Sequence, residues 1–111
     1  MAAKAQPLIA TRDIPITPTT VFTATARTTI DAAVVNNTTG GPLTFTANIV
    51  KSGDAVATTN QVASGLSIGA NASFAPIGLL GQTLGIGDYI SVVGPTAGLN
   101  IRASGRVLTD E

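Results

Sequence analysis

The chain has 111 residues, a length typical of a single domain with one modest hydrophobic core. Charged residues make up 11% of it, six basic and six acidic side chains cancel, and there is no His, Cys or Trp. This composition excludes a Ser-His-Asp triad, a cysteine nucleophile, a disulfide and the usual zinc sites. It also provides no excess of positive charge with which to bind nucleic acid or an anionic membrane.

The chain is unusually apolar for a soluble monomer, with a mean hydropathy of +0.39. A neutral, charge-poor surface tends to associate, so the composition indicates a subunit whose surface is largely covered by neighbours. The alternative is a merely hydrophobic monomer. No apolar run is long enough to cross a bilayer, and residues 1–10 lack the long apolar segment of a secretory signal.

Residues 1–18 differ from the rest because three prolines are spaced among apolar residues. Proline restricts such a stretch to an extended N-terminal arm or an edge strand, which precedes a β-sandwich domain at residues 19–111. An apolar arm either pairs along the edge of its own sheet or reaches across to a neighbouring subunit, and both alternatives stay open. The apolar residues of the arm are Leu8, Ile9, Ile14 and Ile16.

The rest of the chain alternates apolar and polar residues with a period of two, which predicts half-buried β-strands. The predicted strands are residues 20–27, Thr28–Asn37, Leu43–Val50, Tyr89–Val93 and 100–107. Abundant threonine suits such strands, since its branched carbon fits the pleat and its hydroxyl fits the wet face. The predicted core-facing residues are Phe22, Ala24, Ala26, Ile30, Ala32, Val34, Leu43, Phe45, Ala47, Ile49, Ile101, Ala103 and Val107.

Turn signals separate these strands at regular intervals. Residues 36–42 predict a hairpin loop, and residues 52–54, 85–88 and 94–98 predict turns. The only helical signal is one weak turn at 79–84, which glycines interrupt. The pattern predicts an all-β fold: an antiparallel, jelly-roll-like β-sandwich of about eight strands in two stacked sheets.

The acidic residues form no pattern that indicates catalysis or metal binding. Asp54 and Asp88 lie in turns, where an aspartate commonly caps backbone amides. Gly85-Ile86-Gly87 is only a fragment of a phosphate-binding motif and is better explained as a turn. Four scattered aromatic residues cannot form a stacking strip for sugars or single-stranded nucleic acid, and Phe22 and Phe45 are expected in the core. We therefore predict no enzyme activity, no catalytic residue, no cofactor and no metal.

The remaining candidate site residues are those suited to contact a partner. Arg102 and Arg106 share one face of a predicted strand, where they either meet a partner's carboxylate or simply solvate an exposed face. With the arm, they make up the predicted subunit or capsid interface. Its residues are Pro7, Leu8, Ile9, Ile14, Ile16, Arg102 and Arg106.

Several motifs between residues 19 and 107 form a recurring order of strands and turns. They are Val21-Phe22-Thr23-Ala24, Ile30-Asp31-Ala32-Ala33-Val34-Val35-Asn36-Asn37-Thr38-Thr39-Gly40, Leu43-Thr44-Phe45-Thr46, Gly85-Ile86-Gly87-Asp88-Tyr89-Ile90-Ser91-Val92 and Gly105-Arg106-Val107. In this order the chain resembles small β-sandwich virion structural proteins of tailed bacteriophages.

The resemblance implies a non-enzymatic structural role, with the capsid surface as the expected place. A capsid decoration, or cement, protein would bind the major capsid protein and other copies of itself, with a trimer preferred because capsid lattices offer three-fold positions. The alternatives are a protein of the tail, neck or fibre base, and a host-surface or carbohydrate-binding module. The expected localisation is the virion, after synthesis in the host cytoplasm, with no nucleic-acid or membrane partner.

Overall fold

A computed structural model describes residues 2–76 and 78–109. In this part of the chain, nine strands form two antiparallel sheets that pack face to face, which confirms the predicted β-sandwich. The strands are β1 Ala2–Asp13, β2 Thr19–Thr23, β3 Thr28–Asn37, β4 Leu43–Val50, β5 Gln61–Ile68, β6 Ser73–Phe74, β7 Thr83–Leu84, β8 Tyr89–Val93 and β9 Leu99–Thr109.

The larger sheet has the order β1-β9-β3-β6, and β7 also pairs with β3. The smaller sheet has the order β2-β8-β4-β5. This strand order does not confirm the jelly-roll description. The weak helical signal at 79–84 forms no helix, because this stretch holds a turn followed by β7. The described residues contain only a short 3-10 helix, Thr58–Asn60.

Apolar side chains from both sheets fill the space between them, as the period-two pattern predicted. Phe45, Ile101 and Ala103 are buried, and Phe22 and Val107 pack against this core while half-exposed. The fully buried large side chains are Phe45, Ile9, Ile14, Ile30, Ile68, Leu79, Leu84, Ile90, Leu99, Ile101, Val35 and Val50.

The predicted inward face of β3 is wrong beyond Ile30. Ile30 pairs with Gly105 and Ala32 pairs with Ser104, so Asp31 is an extra residue in a β-bulge. One extra residue reverses the alternation, so Ala33 and Val35 are buried while Ala32 and Val34 face solvent.

The predicted hairpin at 36–42 is also wrong, because β3 and β4 belong to different sheets. The loop instead crosses from one sheet to the other and is held by Asn37, which is fully buried. Its Nδ2 donates to the carbonyl oxygens of Gly41 at 2.8 Å and Ile68 at 3.0 Å. Its Oδ1 accepts from the backbone N of Thr39 at 2.9 Å and its hydroxyl at 2.7 Å. All four hydrogen-bonding positions of this amide are therefore used.

Residues 52–60, here called the strap, follow β4 and contact the outer side of the smaller sheet. Asn48 alternates along β4 with the core-facing Ala47 and Ile49, yet it is only 3% exposed. Its Nδ2 donates to Ala57 O at 2.8 Å and Asn60 Oδ1 at 2.6 Å. The Tyr89 hydroxyl donates to Asp54 O at 3.0 Å. Almost every strap residue is itself exposed, so hydrogen bonds hold the strap more than apolar packing does.

We expect Asn60→Ala to release the strap while leaving the sandwich folded. Asn60 Oδ1 accepts from Asn48 and from the Ala57 amide, and Asn60 Nδ2 donates to Ala55 O. Losing these bonds should cost about 1–3 kcal/mol locally. Limited proteolysis and amide exchange should then accelerate at residues 52–60, with Thr58→Ala as the control variant. Equal acceleration in β8 and β9 would show that the strap is not an independent unit.

Candidate interaction surfaces

β1, the predicted arm, is an edge strand of the chain's own larger sheet and pairs antiparallel with β9. Leu8 is 9% exposed, and Ile9 and Ile14 are each 2% exposed, so these three predicted interface residues belong to the core of this chain. They would contact a neighbour only if β1 were exchanged between copies, which stays a prediction. Pro7 is exposed, and Ile16 is 64% exposed just beyond the strand.

Arg102 and Arg106 both lie on the outer face of the larger sheet, but their surroundings differ. The guanidinium of Arg106 binds the carboxylate of Asp31 through Nε and Nη2, at 3.0–3.3 Å. The hydrogen bond and the charge of Asp31 both raise the pKa of Arg106. Because Arg106 remains charged throughout the physiological range in either case, this shift adds no pH dependence to stability.

Arg102 makes no ion pair within the described residues and stands opposite Val34 on β3. It borders a shallow depression of about 160 Å³ that is lined mainly by small side chains, including Ala32 and Ser104. The structure thus gives the two predicted arginines different surroundings. Arg106 is engaged within the chain, whereas Arg102 is available to solvent or to a partner. The bulge at Asp31 places its carboxylate beside Arg106, and nothing in the sequence pattern indicates this pair.

The two sheets differ in charge. The strands of the smaller sheet, β2, β4, β5 and β8, contain no Asp, Glu, Lys or Arg. Every charged residue within a described strand lies in the larger sheet, namely Lys4, Arg12, Asp13, Asp31, Arg102 and Arg106. The outer side of the smaller sheet therefore presents mainly threonine and serine hydroxyls where the strap does not cover it.

An open cleft of about 630 Å³ lies on the side of the sandwich where β1 and β2 are the edge strands. Its lining residues are Leu8, Ile9, Ala10, Thr11, Arg12, Asp13, Pro15 and Val21. No sequence pattern groups Arg12, Asp13 and Val21, because they come to one cleft only through the placement of β1 and β2 at the edges of the two facing sheets.

Asp88 has the turn role that the sequence predicted. Its carboxylate accepts from the backbone N of Gly85 and of Ser52, each at 2.9 Å, and so joins two turns at one end of the sandwich. Asp54 lies in a turn as predicted, with its backbone N donating to Lys51 O. No carboxylate hydrogen bond of Asp54 is seen within the described part of the chain.

Comparison with known proteins gave no match to a family model, a curated protein or a solved structure. Among the described residues, no three acidic side chains are grouped so that they could hold a metal ion. The same residues include no helix with the length and apolar character needed to span a bilayer. The geometry is therefore that of a sandwich with exposed faces and one open side.

Proposed function

We propose that this chain is a non-enzymatic structural protein of a tailed-bacteriophage virion, and specifically a capsid decoration protein. It would bind across adjacent major capsid subunits, and its partners would be the major capsid protein and further copies of itself. The proposal includes no catalysis. The sequence lacks His and Cys, the side chains best suited to proton transfer and nucleophilic attack near neutral pH.

The observation that carries the proposal is where the residues of the resemblance lie. The asparagine-rich segment at the end of β3 supplies Asn37, which ties the two sheets together. The Gly-Asp element before β8 supplies Asp88, which joins two turns. The motifs on which the resemblance rests are thus ones that hold the sandwich together, which supports a structural role for the chain.

The absence of charged residues from the strands of the smaller sheet also supports attachment by packing. Burying charged side chains in an interface carries a desolvation cost, and these strands carry none to bury. A stable attachment needs roughly 1,000 Å² or more of buried surface. Many symmetry-related copies on one shell would add avidity without requiring strong individual contacts.

The decisive experiment is the copy number of this chain in purified particles of the virus that encodes it, measured by quantitative mass spectrometry against the major capsid protein. A capsid lattice repeats its subunits many times, so a decoration protein should be present in a near-constant ratio to the major capsid protein. A ratio corresponding to about a dozen copies or fewer would favour the neck, tail or fibre base. Absence from the particle would overturn the virion role.

Particles that lack the chain provide a second readout. We expect them to release their genome at a lower temperature than complete particles, and purified chain added back should restore the release temperature, because a ligand that binds only the intact shell stabilises it. Unchanged heat release with impaired attachment to cells would instead assign the chain to the tail.

A further inference from the structure

We propose that a second copy of this chain covers the open side of the sandwich, around a two-fold axis that brings Arg12 of one copy against Asp13 of the other. This self-association surface comprises the cleft between β1 and β2 and the adjacent Ile16. The inference concerns the purified chain and does not depend on the position of the protein in a particle.

The two open ends of the gap between the sheets differ in whether a segment of the chain covers them. On the side of β5, β6 and β7, residues 75–76 and 78–82 pack over the gap, with Pro76 and Leu79 buried and Gly78 directly against the backbone of Val62. On the side of β1 and β2, no described segment performs this task, and the cleft of about 630 Å³ stays open. The second side is therefore the one that lacks a cover from the described part of its own chain.

The open side carries apolar surface that a cover would remove from water. Pro15 and Val21 line the cleft and are half-buried, whereas Leu8 and Ile9, which also line it, are already buried in the core. Ile16 directly follows Pro15 and is 64% exposed. Removing apolar surface from water is the main favourable term in most protein association.

The charges of the open side favour a second copy over a charged partner. Arg12 and Asp13 are adjacent, both are exposed, and neither forms an ion pair within the described residues. Because their charges cancel, the patch neither attracts a partner of one sign nor repels itself. A two-fold axis that passes between the two side chains relates one copy to the other. It places the Arg12 of each copy against the Asp13 of its partner.

The contact would be made by side chains rather than by a long strand ladder. Pro7 has no backbone N–H to donate, and β1 has register irregularities between Pro7 and Ile9 and between Ile9 and Arg12. Such features discourage edge-to-edge pairing of strands. A contact of this kind is self-complementary and closes at two copies, which distinguishes it from the three-fold assembly expected from capsid lattices.

The side is large enough for a stable contact. β1 has 12 residues, which at about 3.3 Å per residue fits only along the longest dimension of the molecule. The molecule measures 48 × 26 × 18 Å, so the side along β1 is 48 Å long and at least 18 Å high. A contact over most of this side would reach the roughly 800 Å² that a standard interface buries on each partner.

A charge exchange between two variants tests the proposal. Sedimentation equilibrium of the purified chain should give twice 11.1 kDa at high concentration. Arg12→Asp places two aspartates side by side, and Asp13→Arg places two arginines, so each variant alone should dimerise about tenfold or more weakly. An equimolar mixture should recover the dimer, because both aspartates of the first variant then face the two arginines of the second across the axis.

Matched controls separate this result from a general charge effect. Arg102→Asp and Asp54→Arg change exposed charges outside the patch and should leave dimerisation unchanged, alone or mixed. Ile16→Ser should weaken the dimer without changing its charge. A monomer at all concentrations, a mass of three chains, or variants that fail to complement each other when mixed would each overturn the proposal.

Discussion

Gly105→Ala should destabilise this protein by about 3 kcal/mol or more, a large fraction of the roughly 5–15 kcal/mol that stabilises a typical domain. Gly105 is buried opposite Ile30, next to the bulge at Asp31. A Cβ at this position would overlap the Thr29 carbonyl oxygen and lie 3.0 Å from Leu8 Cδ1. The oxygen belongs to the paired backbone of β3, so it cannot move aside without disturbing the β3–β9 ladder.

The measurement is urea unfolding followed by circular dichroism, with Gly40→Ala as the matched control. Gly40 has nothing within 4 Å of the Cβ that alanine would add, so that variant should unfold close to the wild type. If Gly105→Ala matched the wild type in midpoint and slope, the close approach of Thr29 to β9 would be wrong.

Asn37→Leu should cost about 3 kcal/mol or more, although leucine has the same branched shape at Cγ as asparagine. The change leaves the carbonyl oxygen of Ile68 and the backbone N of Thr39 without the partners that Asn37 supplies. Each buried polar group left unsatisfied costs about 1–3 kcal/mol. Equilibrium unfolding in urea gives this loss directly. Asn36→Leu is the control, since Asn36 is half-exposed and its side chain accepts only from Ser73 within the described residues.

Asn37→Asp adds a pH-dependent form of the same test. An ionised carboxylate cannot donate to Gly41 O or Ile68 O, and burial beside these oxygens should raise its pKa in the folded state. The penalty should therefore be small below the unfolded pKa of about 3.9 and should grow as the pH rises through the folded pKa. Urea unfolding at about pH 3.5 and at about pH 7 measures the penalty on either side of this pH range. Asn36→Asp serves as the control at both pH values. A pH-independent difference from the wild type would contradict the assigned amide orientation.

The candidate surfaces were only partly predictable from the sequence. The placement of Arg102 and Arg106 on the same outer face follows from the period of two along a single strand. The different surroundings of these two arginines do not follow from that period, because Asp31 reaches Arg106 from another strand through a bulge. Arg12 and Asp13 carried no local signal at all. They become part of a candidate surface only because β1 is a sheet edge beside β2.

The sequence by itself located β2, β3, β4, β8 and β9 and most of the turns, but it gave no bounds for β5, β6 and β7. Leu43–Val50, Thr28–Asn37 and Tyr89–Val93 have the predicted bounds, since alternation and turn residues act over a few neighbouring residues. Tertiary structure decided the bulge at Asp31, the crossing of residues 38–42 between sheets and the burial of Asn48 under the strap. These features depend on partners distant in sequence, namely Gly105, Ile68 and Asn60, and no local pattern specifies which distant residue a strand or loop will meet.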